Sequence, residues 1–174
     1  WPVLAKAKKE PGYYQHFLEL HIEQGGVLEA EQESIGIVTS IAGMIRFLVT
    51  IEGKAAHSGT TPMTMRQDAL VEAAGIIKKV NDIGCAHGGD IVTTIGEMNV
   101  FPNMANVVPG QASMLVEIRG SDMREMEAVE EELYKWITAN VQDVDIKPVI
   151  KKRPGAMSSN IQQKIEEVCE NLHV

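Results

Sequence analysis

The stretch Met44–Val80, MIRFLVTIEGKAAHSGTTPMTMRQDALVEAAGIIKKV, changes its apolar period half-way along. Over Met44–Ile51 apolar residues alternate: Ile45, Phe47, Val49 and Ile51 face one way, Arg46 and Thr50 the other, with Leu48. That repeat of two is a half-buried strand. Over Arg66–Val80 the repeat lengthens, and Ala69, Leu70, Ala73, Ala74, Ile77 and Val80 read as one face of a helix. Two start signals compete for this helix, Thr61-Pro62 and the capping-box pattern Thr64-x-x-Gln67. Between strand and helix lies Gly53–Arg66, GKAAHSGTTPMTMR, which sets His57 in a Gly/Ser/Thr-rich turn. Loops held by rigid elements are where reactive side chains tend to sit.

Downstream the pattern repeats. Gly84 through Gly89 ends the first helix, and Ile91–Ile95 is a Thr- and Ile-rich strand. Asn106–Arg119 alternates again, with Ala112, Met114, Val116 and Ile118 on one face and Ser113, Glu117 and Arg119 on the other, with Leu115. Asp122-x-x-Glu125 signals a second helix, whose apolar stripe is Met126, Val129, Leu133, Trp136 and Ile137. Val144–Ile150 is a fourth strand, closed by Pro154-Gly155. The order β-α-β-β-α-β predicts an α+β, ferredoxin-like unit over residues 43–155: a four-stranded antiparallel sheet with two helices on one face.

Residues 1–42 and 156–174 stand outside this unit and read as the two ends of a second domain into which it is inserted. Trp1–Gly12 is lysine-rich and reads as a helix remnant or loop; Tyr13–Ile22, YYQHFLELHI, reads as a buried strand. Val27–Gln32 predicts a helical turn, Ile35–Ile41 is a short β-branched run, and Ser159-x-x-Gln162 starts a last helix. The first residue is Trp1, and the final ENLHV stops inside a helical pattern, so the chain reads as a piece of a longer polypeptide.

At 44% hydrophobic and 23% charged the chain has a globular composition, and a net charge of -8 argues against nucleic acid or an anionic membrane as partner. No apolar run approaches the ~18 residues of a membrane helix, and no signal peptide is visible. Cys85 and Cys169 lie far apart with no metal-type spacing, which reads as free thiols in a reducing cytoplasm.

Four residues are candidates for chemistry. His21, in ELHIEQG, reads first as a satisfied core histidine and second as a metal ligand; a zinc centre needs about three or four protein ligands, and no second ligand stands at a sensible spacing. His57 is either a turn histidine or a group that polarises a carbonyl and stabilises an oxyanion. Asn106 in NVVPG and Arg119 closing MLVEIR could pair with a carboxylate; Arg119 could equally be a strand-end arginine on a surface acid. His16 and His87 read as surface residues. The scattered glycines form no phosphate-binding pattern.

FLELHIEQGGVLE, GKAAHSGTTPMTMRQDAL and NVVPGQASMLVEIR, in this order, resemble the N-carbamoyl-L-amino-acid hydrolase, allantoate amidohydrolase and β-ureidopropionase branch of the aminoacylase-like zinc amidohydrolases. The resemblance runs from about Phe17 to the end. It implies a truncated α/β catalytic domain (1–42 and 156–174) that carries an inserted lid and dimerisation domain (43–155). It also implies two divalent ions in the intact enzyme, zinc or else manganese, nickel or cobalt. By this resemblance His21 falls on a metal ligand, Gln24 on a substrate-contacting glutamine, His57 on the lid histidine that holds and polarises the scissile group, and Asn106 and Arg119 on the pair that grips the substrate carboxylate. Gly26 departs from the proline usual there. The family's other metal ligands, the glutamate that moves the proton and a glycine-rich substrate loop are not among these 174 residues.

The implied activity of the intact protein is metal-dependent hydrolysis of a carbamoyl or ureido C–N bond in a small carboxylate substrate, in a cytoplasmic homodimer joined through the lid. The chain by itself is expected to be inactive and to hold no metal tightly. Two other readings stay open: a peptidase or aminoacylase of the same wider family, and a non-catalytic ferredoxin-like dimerisation module.

Overall fold

A computed structural model describes residues 7–174. The reading of Trp1–Gly12 therefore falls partly outside the described residues. In chain order the elements are α1 (Val27–Glu31), β1 (Ser40–Ile41), β2 (Gly43–Glu52), β3 (Ala56–His57), α2 (Ala69–His87), β4 (Val92–Phe101), β5 (Val107–Val108), β6 (Gln111–Gly120), α3 (Met123–Asn140), β7 (Val144–Lys152), β8 (Gly155–Ala156) and α4 (Ser159–Leu172).

Two strands set the core. On β2, Ile45, Phe47, Val49 and Ile51 are buried, and on β6, Ala112, Met114, Val116 and Ile118, as their alternation requires. The two pair antiparallel in full register from Gly43↔Gly120 to Glu52↔Gln111, so both apolar rows fall on one face. β4 and β7 add to the outer sides, giving an antiparallel sheet in the order β4-β6-β2-β7. α2 and α3 cover the apolar face, burying Ala73, Ile76 and Val80 from the first and Met126, Val129, Leu133 and Ile137 from the second. Phe47 meets Tyr134 of α3 edge to face, with centroids 4.9 Å apart. Each large side chain so buried contributes about 1.5–3 kcal/mol. The opposite face is open.

Four sequence expectations are corrected here. α2 starts at Ala69, because Asp68 caps it by accepting from the N–H groups of Leu70 and Val71 at 3.0 and 3.3 Å. Thr64 and Gln67 do not form a capping box: Met63–Met65 is a 3₁₀ turn and Arg66 is extended. The face that α2 packs on the sheet is Ala69, Ala73, Ile76, Val80 and Ile83, so Ile76 is buried while Leu70 and Ile77, expected on that face, are each 38% exposed. α2 ends within Gly84–Gly89, as expected, at His87 with Gly88 as its cap; Gly84 itself is still helical, and a Cβ there would sit 2.3 Å from Thr93 Oγ1, whose hydroxyl donates to Val80 O at 2.8 Å. β4 is ten residues long, twice the Ile91–Ile95 run, because a bulge between Ile95 and Glu97 lets pairing continue to Phe101. The run Asn106–Arg119 is two strands, parted at Pro109-Gly110.

The chain divides into two compact units, Val38–Ile165 and the remainder. The larger unit contains the sheet, both covering helices and the small ladder β1–β8, Ser40↔Ala156 and Ile41↔Gly155. It reaches past the 43–155 expected. In the other unit Tyr13–Ile22 is not the buried strand expected: Phe17 is 82% and Leu20 96% exposed. A strand is stable only with a ladder partner and apolar cover, and no strand among the described residues pairs with this segment. Among the described residues no helix is long and apolar enough to cross a membrane.

Candidate functional site

His57 ends the two-residue strand β3, which pairs with β5 as Ala56↔Val108 and His57↔Val107. Both segments leave the same end of the main sheet, where Gly53 N–H donates to Gly110 O at 2.8 Å. The approach needs glycine on both sides: a Cβ on Gly53 would lie 2.5 Å from Gln67 O, and one on Gly110 2.9 Å from Ala55 N. Ser58 N–H donates to Asn106 O at 2.9 Å, and Thr61 N–H to His57 O at 3.1 Å. Arg66 closes the turn from inside, donating from Nε to Thr61 O at 3.0 Å and from a terminal nitrogen to Ser58 O at 2.6 Å. The backbone under the imidazole is therefore fixed on three sides, although the ring is exposed.

The ring's chemistry is set by Gly59, whose N–H donates to His57 Nδ1 at 3.1 Å. An acceptor at Nδ1 means that the neutral ring carries its proton on Nε2. Nε2 is then a hydrogen-bond donor, suited to a carbonyl or oxyanion oxygen and unsuited to accept a proton or bind a metal. Asn106 is exposed beside His57, and its carboxamide makes no hydrogen bond with the described residues.

Arg119 is elsewhere. It stands near the far end of β6, opposite Met44 and Val92, on the open face of the sheet. Eight residues of strand separate it from Gln111, about 25 Å at about 3.3 Å per residue. The β3–β5 ladder lies beyond the Gln111 end. The structure thus brings His57 and Asn106 together and holds Arg119 apart from both. Arg119 Nε donates to Glu117 Oε1 at 2.6 Å, and Arg46 Nε to Glu117 Oε2 at 2.5 Å. Burial alone would raise the Glu117 carboxyl, but the hydrogen bonds from Arg119 and Arg46 outweigh it and hold the group below the ordinary glutamate value. Arg46 and Glu117 were not singled out in the sequence. Their alternation on β2 and β6 with an opposite charge was the available signal. Gly59 and Arg66 gave no comparable signal beyond their place in the His57 turn.

His21 and Gln24 lie in the smaller unit. His21 is exposed, so it is not a core histidine, and its Nδ1 is 2.5 Å from Ile22 O. Glu23 does not orient it; its carboxylate caps α1, accepting from Val27 and Leu28 N–H at 2.8 and 3.2 Å. Gln24 adopts a left-handed backbone, φ 59°. Among the described residues no group of three or more His, Cys, Asp or Glu could hold a metal ion. One imidazole donor does not fit the dinuclear centre that the resemblance implies.

Comparison with known proteins agrees with this architecture. Residues 39–145 match the peptidase dimerisation domain of the M20 family. The chain is 42% identical over 116 residues to an N-carbamoyl-L-amino-acid amidohydrolase of Paenarthrobacter aurescens, covering 67% of this chain and 28% of that protein. It is 34% identical over 158 residues to the allantoate amidohydrolase of Escherichia coli, covering 88% and 38%. A crystal structure of a hydantoinase/carbamoylase family amidase from Burkholderia multivorans superposes with a TM-score of 0.83 at 33% identity, again over 88% and 38%. The chain spans well under half the length of each of these relatives. An antiparallel sheet under two helices, a histidine turn at one end of it and a match over residues 39–145 lead to one conclusion: this chain belongs to the M20 peptidase dimerisation-domain family.

Proposed function

We propose that this chain is the lid-bearing part of an amidohydrolase that cleaves a carbamoyl or ureido C–N bond in a small carboxylate substrate. The observation that carries this reading is the state of His57: an exposed imidazole on a paired ladder, with Nδ1 accepting from Gly59 N–H, which leaves Nε2 as the donor. A ureido carbonyl gains negative charge on oxygen when attacked, and a preset donor stabilises that charge without being reorganised. Asn106 adds a second donor beside it. Arg119 presents a planar fork for the carboxylate. Apart from His21, the metal ligands and the group that moves the proton belong to parts of the intact protein outside this chain, which alone is inactive.

Arg119 lies about 25 Å along β6 from Gln111, and His57 stands beyond that end, a span that exceeds the length of a small ureido acid. One lid therefore does not hold both ends of one substrate. We infer a homodimer in which His57 and Asn106 of one subunit serve the site that contains Arg119 of the other. The two sheet edges support this. β7 is blunted by Lys147, Pro148, Lys151 and Lys152, devices that discourage strand pairing. β4 has no proline or lysine, and the flank of α2 turned away from the core carries Leu70, Val71 (65% exposed) and Ile77. β4 with α2 is the pairing surface.

The test is steady-state kinetics on the intact protein with N-carbamoyl-L-amino acids and allantoate. His57→Ala lowers kcat/KM about 100-fold, the order lost with one oxyanion donor. Arg119→Lys lowers it by about tenfold or more, because lysine lacks the bidentate fork. Wild-type kcat/KM in Arg119→Lys would remove the carboxylate assignment.

A further inference from the structure

The open face of the sheet carries a cluster whose inner member has no assigned role. Arg46 on β2 lies directly opposite Glu117 on β6, and Arg119 follows two residues on, on the same face. The Glu117 side chain is 20% exposed, against 31% for Arg46 and 41% for Arg119, so the acid sits deepest. Its two oxygens each take one Nε–H, from Arg119 at 2.6 Å and Arg46 at 2.5 Å. Neither guanidinium makes another hydrogen bond with the described residues. The three charges sum to +1, and both arginines keep their terminal nitrogen pair uncommitted. A hollow of about 300 Å³, bounded in part by Arg46, Thr94, Leu115 and Glu117, opens beside Arg46 and Glu117.

We propose that Glu117 is a positioning residue that holds Arg119 by its Nε, so that the terminal fork is set in advance for the substrate carboxylate, and that Arg46 anchors Glu117 in turn. The inference rests on the reading of Arg119 given above. A free arginine loses rotamer freedom when it binds, and a side chain already tied at Nε has lost it beforehand. The opposite role, a built-in competitor that must be displaced by substrate, would require Glu117 to occupy the fork. It occupies Nε alone.

The two roles differ in sign. In the intact protein, with whichever ureido carboxylate it turns over, Glu117→Gln should raise KM about tenfold, the order expected for losing a charged hydrogen bond, while kcat changes less than about twofold. Arg46→Gln should raise KM in the same direction by less. If Glu117 acts only through Arg119, the double variant Glu117→Gln/Arg119→Gln has the KM of Arg119→Gln alone. Circular dichroism on each variant excludes loss of fold. An unchanged or lowered KM in Glu117→Gln, or additive effects in the double variant, overturns the proposal while leaving Arg119 in place. An unchanged KM in Arg119→Gln overturns the reading of Arg119 and this inference with it.

Discussion

His57 can give a hydrogen bond from its outward nitrogen but cannot take a proton there, and a single backbone N–H makes the difference. Gly59 has a second part in this: a Cβ on it would press within 3.2 Å of His57 Cε1. The charged residue whose state matters is Glu117. Its folded value is depressed, so the stability it contributes is fully present above the unfolded value of about 4.3 and is lost as pH falls through the folded value. Glu117→Gln removes that dependence. Urea unfolding of the two proteins should show a stability gap at pH 7 that narrows steadily below about pH 4. A gap independent of pH would mean that the two arginines do not bias the ionisation of Glu117.

At the scale of elements, the caps and the bulge decide the phases. Asp68 takes two N–H groups at the start of α2, and Asp68→Ala should destabilise the larger unit by about 1 kcal/mol, read as a lowered urea midpoint at constant slope. No change would mean that Asp68 does not start the helix. This cap is also where the sequence was misread. Thr64-x-x-Gln67 has the right pattern, but Gln67 O is taken by Lys54 N–H at 2.8 Å and Arg66 is turned into the His57 loop, so the helix cannot begin there. β2 and β6 were legible because a strict period of two survives burial of one face. The full length of β4 was not, because a bulge shifts its phase at Gly96. Ile91–Ile95 alone kept the simple pattern. Tyr13–Ile22 failed for a different reason: apolar content predicts burial only where something covers it, and the described residues supply no strand for it.

The candidate site was half legible in the same sense. His57, Asn106 and Arg119 were singled out as candidates from their motifs, and the small ladder places the first two side by side. A motif does not say that a strand running from Gln111 to Arg119 carries its last arginine to the other end of the sheet. Nor does it name Gly59, Arg66 or Glu117, whose parts depend on distances across folded backbone.

For the whole molecule, the proposed function has the consequence that one lid is not a complete substrate site. The chain belongs to a dimerisation-domain family and spans well under half the length of its relatives. In the proposed dimer each site draws Arg119 from one subunit and His57 with Asn106 from the other. The measurement that tests this most directly uses two strongly impaired variants of the intact protein, His57→Ala and Arg119→Ala, co-expressed with different tags and purified as hybrid dimers. One of the hybrid's two sites then has both groups intact. Turnover of a ureido carboxylate at about half the wild-type rate per dimer, from parents that are each strongly impaired, is the result the account predicts. A hybrid as impaired as its parents would mean that His57 and Arg119 serve the same subunit's site, and would contradict it.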